Sequence, residues 1–361
     1  MLQPRDVLKR INPYIPGKPI EEVARELKLK GRIIKLASNE NPLGTSPLAM
    51  HAIRSALKGS FLYPDDTCFY LRKKLAERYR VESENIVAGN GSVELLPMIT
   101  LTYLDPEHSA VFSAGAFIWF KIAANIADSE LIEVPMKDYT HDVNAMLGAI
   151  KKNTRLVYFA NPNNPTGTII GRQEADAFIQ RVPEDVLVIM DEAYREYIDD
   201  PRYPDSFNYL KEGRNILILR TFSKIYGLAG VRLGYGIGPK AVVASLAKIR
   251  TSFNVNRLSQ EAGMAALDDD QHVRKGKALN DAGKEYLYDA YGKLGLFFVP
   301  TFGNFIFVDF ARDSRVIFEA LLKKGIVTRM IKEYGFPNAL RISIGSEAQN
   351  QRLIRALRQV L

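Results

Sequence analysis

Four short polar stretches of this chain carry residue types that could act together on one small molecule. Ser223 and Lys224 follow the apolar run at residues 216–219, and Asp191 follows residues 186–190. The stretch NPNNPTG, residues 161–167, follows residues 156–160. The stretch GNGS, residues 89–92, follows residues 86–88 and passes directly into an apolar segment. Each apolar run is too short for a helix, so each reads as a buried strand. A lysine can form a Schiff base with a carbonyl. A carboxylate can hold a proton on a heterocyclic nitrogen, and amides and phenols can donate to a ring oxygen.

Taken alone, each stretch has an ordinary use. A loop lysine sits in water, glycines make tight turns, and asparagines among prolines make a rigid loop. An aspartate at a strand end caps the turn that follows it. In open α/β sheets, however, ligands bind beyond the carboxyl ends of the strands, and all four stretches fall there. A glycine turn entering a helix offers N–H groups and a dipole to an anion. GNGS lacks the spacing of a P-loop or of GxGxxG, so a nucleotide is not indicated.

One ligand asks for all four groups, and it is pyridoxal 5′-phosphate. On this reading Lys224 holds the cofactor as an aldimine. Released by an incoming amine, it becomes the base that moves the α-proton. Asp191 keeps the pyridine nitrogen protonated, and Tyr194 and the asparagine amides serve the ring oxygen. Thr221, Ser223 and Arg232 read as a phosphate seat, the arginine adding a fixed positive charge.

The elements that must position these groups follow from the pattern of the chain. Strands alternate with helices across residues 86–250, which predicts an α/β domain with a largely parallel sheet. Before it come an arm with turn signals, a short helix at residues 19–30 and a strand at residues 33–37. That strand runs into SNENPLG, residues 38–44, and Ser46-Pro47 opens a helix. After it, a long helical segment at residues 259–294 leads to strands at 297–299, 305–310 and 340–344. The expected division is an arm and part of a small domain at residues 1–30, a large cofactor-binding domain at 31–260, and a small α+β domain at 261–361.

Composition narrows the classes. Charged residues are 25% of the 361 and hydrophobic ones 47%, as in a globular chain with a real core. The formal charge of +8 comes without a basic tail, so no nucleic-acid partner is expected. Cys68 is the only cysteine, which suits a reducing cytosol, and the four histidines show no metal-ligand spacing. The N-terminus has no apolar core of a secretory signal, and residues 110–120 are too few to span a bilayer. A cytoplasmic protein without membrane contact is expected.

In order, GNGSVELL, NPNNPTG, DEAY and TFSKIYGLAGVRLG resemble the fold-type I, aspartate aminotransferase-like pyridoxal-phosphate enzymes. SNENPLG, the YPD at residues 63–65 and the tail LRISIG resemble in particular the histidinol-phosphate aminotransferases. The resemblance spans roughly residues 10–361. It implies a mostly parallel central sheet flanked by helices, with a smaller α+β domain built from both termini. The implied reaction takes L-histidinol phosphate and 2-oxoglutarate to imidazole acetol phosphate and L-glutamate, in histidine biosynthesis.

It also implies roles. Lys224 carries the cofactor, Asp191 pairs with the pyridine nitrogen, and Asn164 and Tyr194 bind the ring hydroxyl. Gly91, Ser92, Thr221, Ser223 and Arg232 hold the phosphate, with Tyr63 reaching in from a second subunit of a homodimer. Val93, where many relatives have aspartate, contributes only its backbone. Phe117 stacks on the ring. Arg341 meets the α-carboxylate of glutamate, and Arg329 meets the phosphate of histidinol phosphate. Tyr14 covers the site, and Tyr63 and Asn164 also border the substrate. Aromatic amino-acid aminotransferases and threonine-phosphate decarboxylase share much of this pattern, and both readings stay open at this point.

Overall fold

The computed structural model describes residues 2–13, Glu22, Arg25 and residues 33–361. Tyr14, and most of the helix expected over residues 19–30, lie outside the described residues. The first strand, β1 (Ile34–Lys35), has two of the five residues expected and stands apart from the main sheet.

The main sheet has seven strands: β2 (Ile86–Gly89), β3 (Ser109–Ser113), β4 (Glu130–Val134), β5 (Thr154–Ala160), β6 (Leu187–Asp191), β7 (Ile216–Thr221) and β8 (Gly234–Ile237). Their spatial order is β2-β8-β7-β6-β5-β3-β4. Strand β8 is antiparallel to both neighbours, and the other pairings are parallel. Strands β6 and β7 are buried along their whole length, so LVIMD and ILILRT read as runs and not as alternation. One face packs on Leu95, Ile99 and Phe120, and the other on Val143, Phe178 and Ile179.

The C-terminal part forms a four-stranded antiparallel sheet from β9 (Phe297–Val299), β10 (Phe305–Asp309), β12 (Arg329–Ile331) and β13 (Phe336–Ser343). The remaining strand, β11 (Ile326–Val327), pairs in parallel with β1, so the chain returns from the N-terminal side to this smaller unit. Strands β11 and β12 have no counterpart in the sequence reading. At two and three residues they are too short to show a period.

One further expectation is corrected, and the form of the turn after Asp191 is defined. The helical segment at residues 259–294 is two helices, Arg257–Ala266 and Asp270–Lys293. The side chain of Asp269 accepts from the His272 amide and starts the second one. DEAY does not open an α-helix. The Ala193 amide donates to Asp191 Oδ1 at 3.2 Å, the chain turns, and only a 3₁₀ turn follows at Arg195–Tyr197.

The loop carrying Lys224 is braced by the SNENPLG loop. Asn41 Nδ2 donates to the Ile225 carbonyl at 2.6 Å, and Thr45 Oγ1 donates to that of Gly227 at 3.0 Å. Gly227 has φ +70°, and a Cβ there would lie 1.9 Å from the Gly44 carbonyl oxygen. Only glycine allows this approach.

Candidate active site

The carboxyl ends of β2, β5, β6 and β7 open on one cavity of about 240 Å³. Ser92, Val93, Phe117, Asn164, Asp191, Tyr194, Thr221, Ser223, Lys224, Arg232 and Arg341 all line it. Eleven of the fifteen residues singled out in the sequence therefore share one space. Gly91 stands directly behind Arg232.

Lys224 lies just past the end of β7, half-buried, with Nζ donating to the Ser38 carbonyl at 3.1 Å. Burial, with the Arg341 guanidinium nearby, pulls its ammonium down from the usual lysine range to about 7. Asp191 is buried at the end of β6. Burial pushes its carboxyl up to about 6, against the hydrogen bond that Tyr158 donates to Oδ2 at 3.1 Å. A half-neutral amine and a carboxylate ready to take a cationic partner thus face the same cavity.

Of the two residues expected to donate to a ring oxygen, Asn164 has its orientation fixed by the protein. In NPNNPTG the first and third asparagines hold the loop. Asn161 exchanges hydrogen bonds with Ile170, and Asn163 donates to Gly115 and Thr166. Asn164 alone turns to the cavity. Its Oδ1 accepts from Arg341 Nη1 at 2.6 Å, so its Nδ2 is the end left for a ligand. Arg341 is buried, its Nη2 donates to the Ala37 carbonyl at 2.5 Å, and its Nε has no partner.

At the other end, the helix Ser92–Tyr103 begins after Gly91, whose φ is +80°, with no side chain capping it. A Cβ on Gly91 would stand 2.2 Å from Arg232 Nη2. Arg232 Nη1 lies 3.5 Å from Ser223 Oγ. Gly234 in β8 matters in the same way, since a Cβ there would lie 2.2 Å from the Ser92 nitrogen. A guanidinium pressed against a helix N-terminus puts two positive ends together, which fits an anion between them. A bare glycine cradle with an arginine, a buried carboxylate and a depressed lysine fit the phosphate, ring nitrogen and carbonyl carbon of pyridoxal 5′-phosphate.

Besides Gly91, three expected residues do not line this cavity. Tyr63 is 78% exposed and stacks on Phe253 with ring centres 4.6 Å apart. Arg329 is buried on β12, hydrogen-bonded to Glu333. Tyr14 lies outside the described residues. Conversely, Ala37, Ser38, Asn39 and Glu40 line the cavity, although sequence reasoning took SNENPLG only as a polar loop and a family mark. Their signal was a cluster of polar residues between a strand and a proline. Tyr158, inside a buried strand, carried no signal. Among the described residues no group of His, Cys, Asp and Glu could hold a metal ion, and no helix is long and apolar enough to cross a membrane.

The family described as aminotransferase class I and II matches residues 31–357. A histidinol-phosphate aminotransferase of Moorella thermoacetica is 49% identical over 358 residues, covering 99% of this chain and 92% of that protein. The crystal structure of histidinol-phosphate aminotransferase from Sinorhizobium meliloti in complex with pyridoxal 5′-phosphate is similar at a TM-score of 0.91 and 29% identity. It covers 98% of this chain and 96% of its own. Aspartate aminotransferase from Thermus thermophilus, at a TM-score of 0.87 and 20% identity over the whole of both chains, shows the fold, which is fold-type I.

Proposed function

The chain belongs to the class I and II aminotransferases, and we propose that within them it is a histidinol-phosphate aminotransferase that uses pyridoxal 5′-phosphate. It moves the amino group of L-histidinol phosphate to 2-oxoglutarate, giving imidazole acetol phosphate and L-glutamate, as a step of histidine biosynthesis. The observation that carries this is the cavity itself. Lys224, Asp191, Asn164, Tyr194 and Arg341 line it together, in a chain 49% identical to a relative of that name.

The cofactor, when bound, supplies the carbonyl that takes up the amine and the electron sink that makes the α-proton acidic. The chain supplies the rest. Lys224 Nζ, neutral in part near pH 7, takes the α-proton and returns it. Asp191 holds the proton of the ring nitrogen, and Asn164 Nδ2 and the Tyr194 hydroxyl donate to the ring oxygen. The Gly91–Val93 amides, Thr221, Ser223 and Arg232 hold the phosphate, and Phe117 covers the ring. Arg341 receives the α-carboxylate of glutamate, and Arg329 the phosphate of the donor.

The working unit is a two-fold homodimer in the cytoplasm, with Tyr63, and Tyr14 of the arm, serving the neighbouring site. Its support is that Tyr63 does not line its own chain's cavity and is exposed beside Phe61 and Leu62. A side-by-side assay of histidinol phosphate, phenylalanine and tyrosine as donors to 2-oxoglutarate tests the substrate. A clear preference for phenylalanine or tyrosine would replace this reading with an aromatic aminotransferase.

A further inference from the structure

The loop at residues 63–66 is held by one segment of its own chain, residues 250–260. Arg250 donates to both oxygens of Asp66, at 3.1 and 2.6 Å, and the Phe253 amide donates to Asp66 Oδ1. Arg250, and then the Phe253 amide, hold the Asp66 carboxyl below the usual aspartate range. Arg257 Nη2 donates to the Tyr63 carbonyl at 3.1 Å, and Gln260 Nε2 donates to that of Asp65 at 2.9 Å. Phe253 takes φ +57°, a conformation that a bulky residue keeps only where its surroundings impose it. In that conformation its amide meets Asp66 while its ring stacks on Tyr63.

The same segment reaches the phosphate seat. Arg250 Nη1 also donates to Asn254 Oδ1 at 2.9 Å, and Asn254 Nδ2 donates to Glu94 Oε2 at 2.7 Å. That carboxylate oxygen accepts from the Asn90 amide as well, at 2.6 Å, inside GNGS. A line of charge-assisted hydrogen bonds thus runs from Asn90 through Glu94, Asn254 and Arg250 to Asp66. Glu94, Asn254, Arg250 and Asp66 are all half-buried, where such bonds are screened less than on the open surface. Yet the tyrosine held at its far end is exposed and does not line its own chain's cavity.

We propose that Asp66 and Arg250 are positioning residues for the neighbouring subunit's site. They fix Tyr63 for that site, and through Asn254 and Glu94 they fix it to their own chain's phosphate seat. This rests on the shared-site reading above.

Cofactor dissociation constants of hybrid dimers test this, with two tags to separate hybrids from parents. Lys224→Ala marks one chain, so the absorption of lysine-bound cofactor reports the other chain's site alone. That site takes its tyrosine from the marked chain. Asp66→Asn has the same shape as the native side chain. On the marked chain it should weaken cofactor binding roughly 3- to 10-fold, and on the other chain it should leave binding unchanged. A merely structural role would act on its own chain's site, or on both alike. Tyr63→Ala on the marked chain should weaken binding roughly 10-fold or more, and adding Asp66→Asn to it should weaken binding no further. Asn254→Ala cuts the line in its middle, so it should weaken binding in either arrangement. If Asp66→Asn does not fold, Arg250→Lys keeps the charge, loses the planar fork and should act in the same arrangement by less.

The proposal is overturned if Asp66→Asn and Arg250→Lys act on their own chain's site, or alike in both arrangements. It is overturned equally if the effects of Asp66→Asn and Tyr63→Ala add in full, or if Asn254→Ala acts in one arrangement only. Tyr63→Ala without effect on the marked chain would instead remove the shared-site reading, and this inference with it.

Discussion

Arg329 and Arg341 stand directly opposite each other in the antiparallel pairing of β12 with β13, so both side chains leave the same face of the sheet. Like charges so placed repel, and both are buried. Each is held by its own oxygens: Glu333 for Arg329, and Asn164 and the Ala37 carbonyl for Arg341. Arg341→Ala should lower kcat/KM by roughly 10- to 100-fold or more for every substrate, the worth of a buried charge-assisted hydrogen bond. Arg329→Ala should lower it for histidinol phosphate and scarcely change it for phenylalanine. Equal losses for both donors would assign Arg329 to the scaffold.

Lys224 carries a pH dependence whose sign follows from its depressed ammonium. Below about pH 7 it is charged and unreactive toward a carbonyl, and above that it is a free amine. The rate at which apoprotein recaptures pyridoxal 5′-phosphate should rise through pH 7 and level off by pH ~8.5, whereas an ordinary lysine, ionising near ~10.4, would still be gaining. Lys224→Ala should lose both the bound cofactor's absorption and turnover. Full activity in that variant would end the mechanism.

Tyr158 and Asp191 form a second titrating pair. Burial holds Asp191 up to about 6, and the Tyr158 hydroxyl favours its ionised form. A protonated Asp191 cannot hold a protonated ring nitrogen, so cofactor affinity should fall as pH drops through 6. In Tyr158→Phe the carboxyl rises further, and the loss of affinity should begin at higher pH. The contrast is expected at roughly 10-fold or more at pH 6 and little at pH 8. Equilibrium dialysis at the two pH values measures it.

The parts of the site that were legible in the sequence share one physical reason. Lys224, Asp191 and Asn164 each follow a buried apolar run, and in an open α/β sheet that places them together beyond the strand ends, where ligands bind. The parallel sheet was legible because strands alternate with helices across residues 86–250. What stayed hidden depends on contacts between distant segments. Asn39 meets Ser343 across 304 residues and Tyr194 across 155, and no local pattern encodes either pairing. The split of residues 259–294 was hidden by three residues without apolar period, while Asp269 offered a cap that only its geometry reveals.

Behind the cavity, Glu192 and Arg220 follow and precede Asp191 and Thr221 on the neighbouring strand ends and point away from them. They form a buried ion pair at 2.5 Å, and Glu196 stands 3.6 Å from the same guanidinium. Arg220→Ala leaves the buried Glu192 and the half-buried Glu196 without their cation. It should destabilise the apoprotein by about 3–5 kcal/mol in denaturant unfolding. Glu192→Gln should cost less, because the hydrogen-bonding shape survives.

Mixed dimers test the shared site. Lys224→Ala and Tyr63→Ala should each be impaired alone, and co-refolding them should restore activity at one site of each hybrid. In that hybrid, one site receives Lys224 from one chain and Tyr63 from the other. No recovery on mixing would place Tyr63 outside the neighbour's site.

The contact of Gly227 with Gly44 has a consequence for anyone recombining this enzyme with its relatives. Two loops separated by some 180 residues touch backbone to backbone, with no side chain between them to absorb a mismatch. They are one module for engineering purposes. A crossover point between them must bring both loops from the same parent. A library that diversifies Gly227 should yield chains that fail before chemistry is ever sampled.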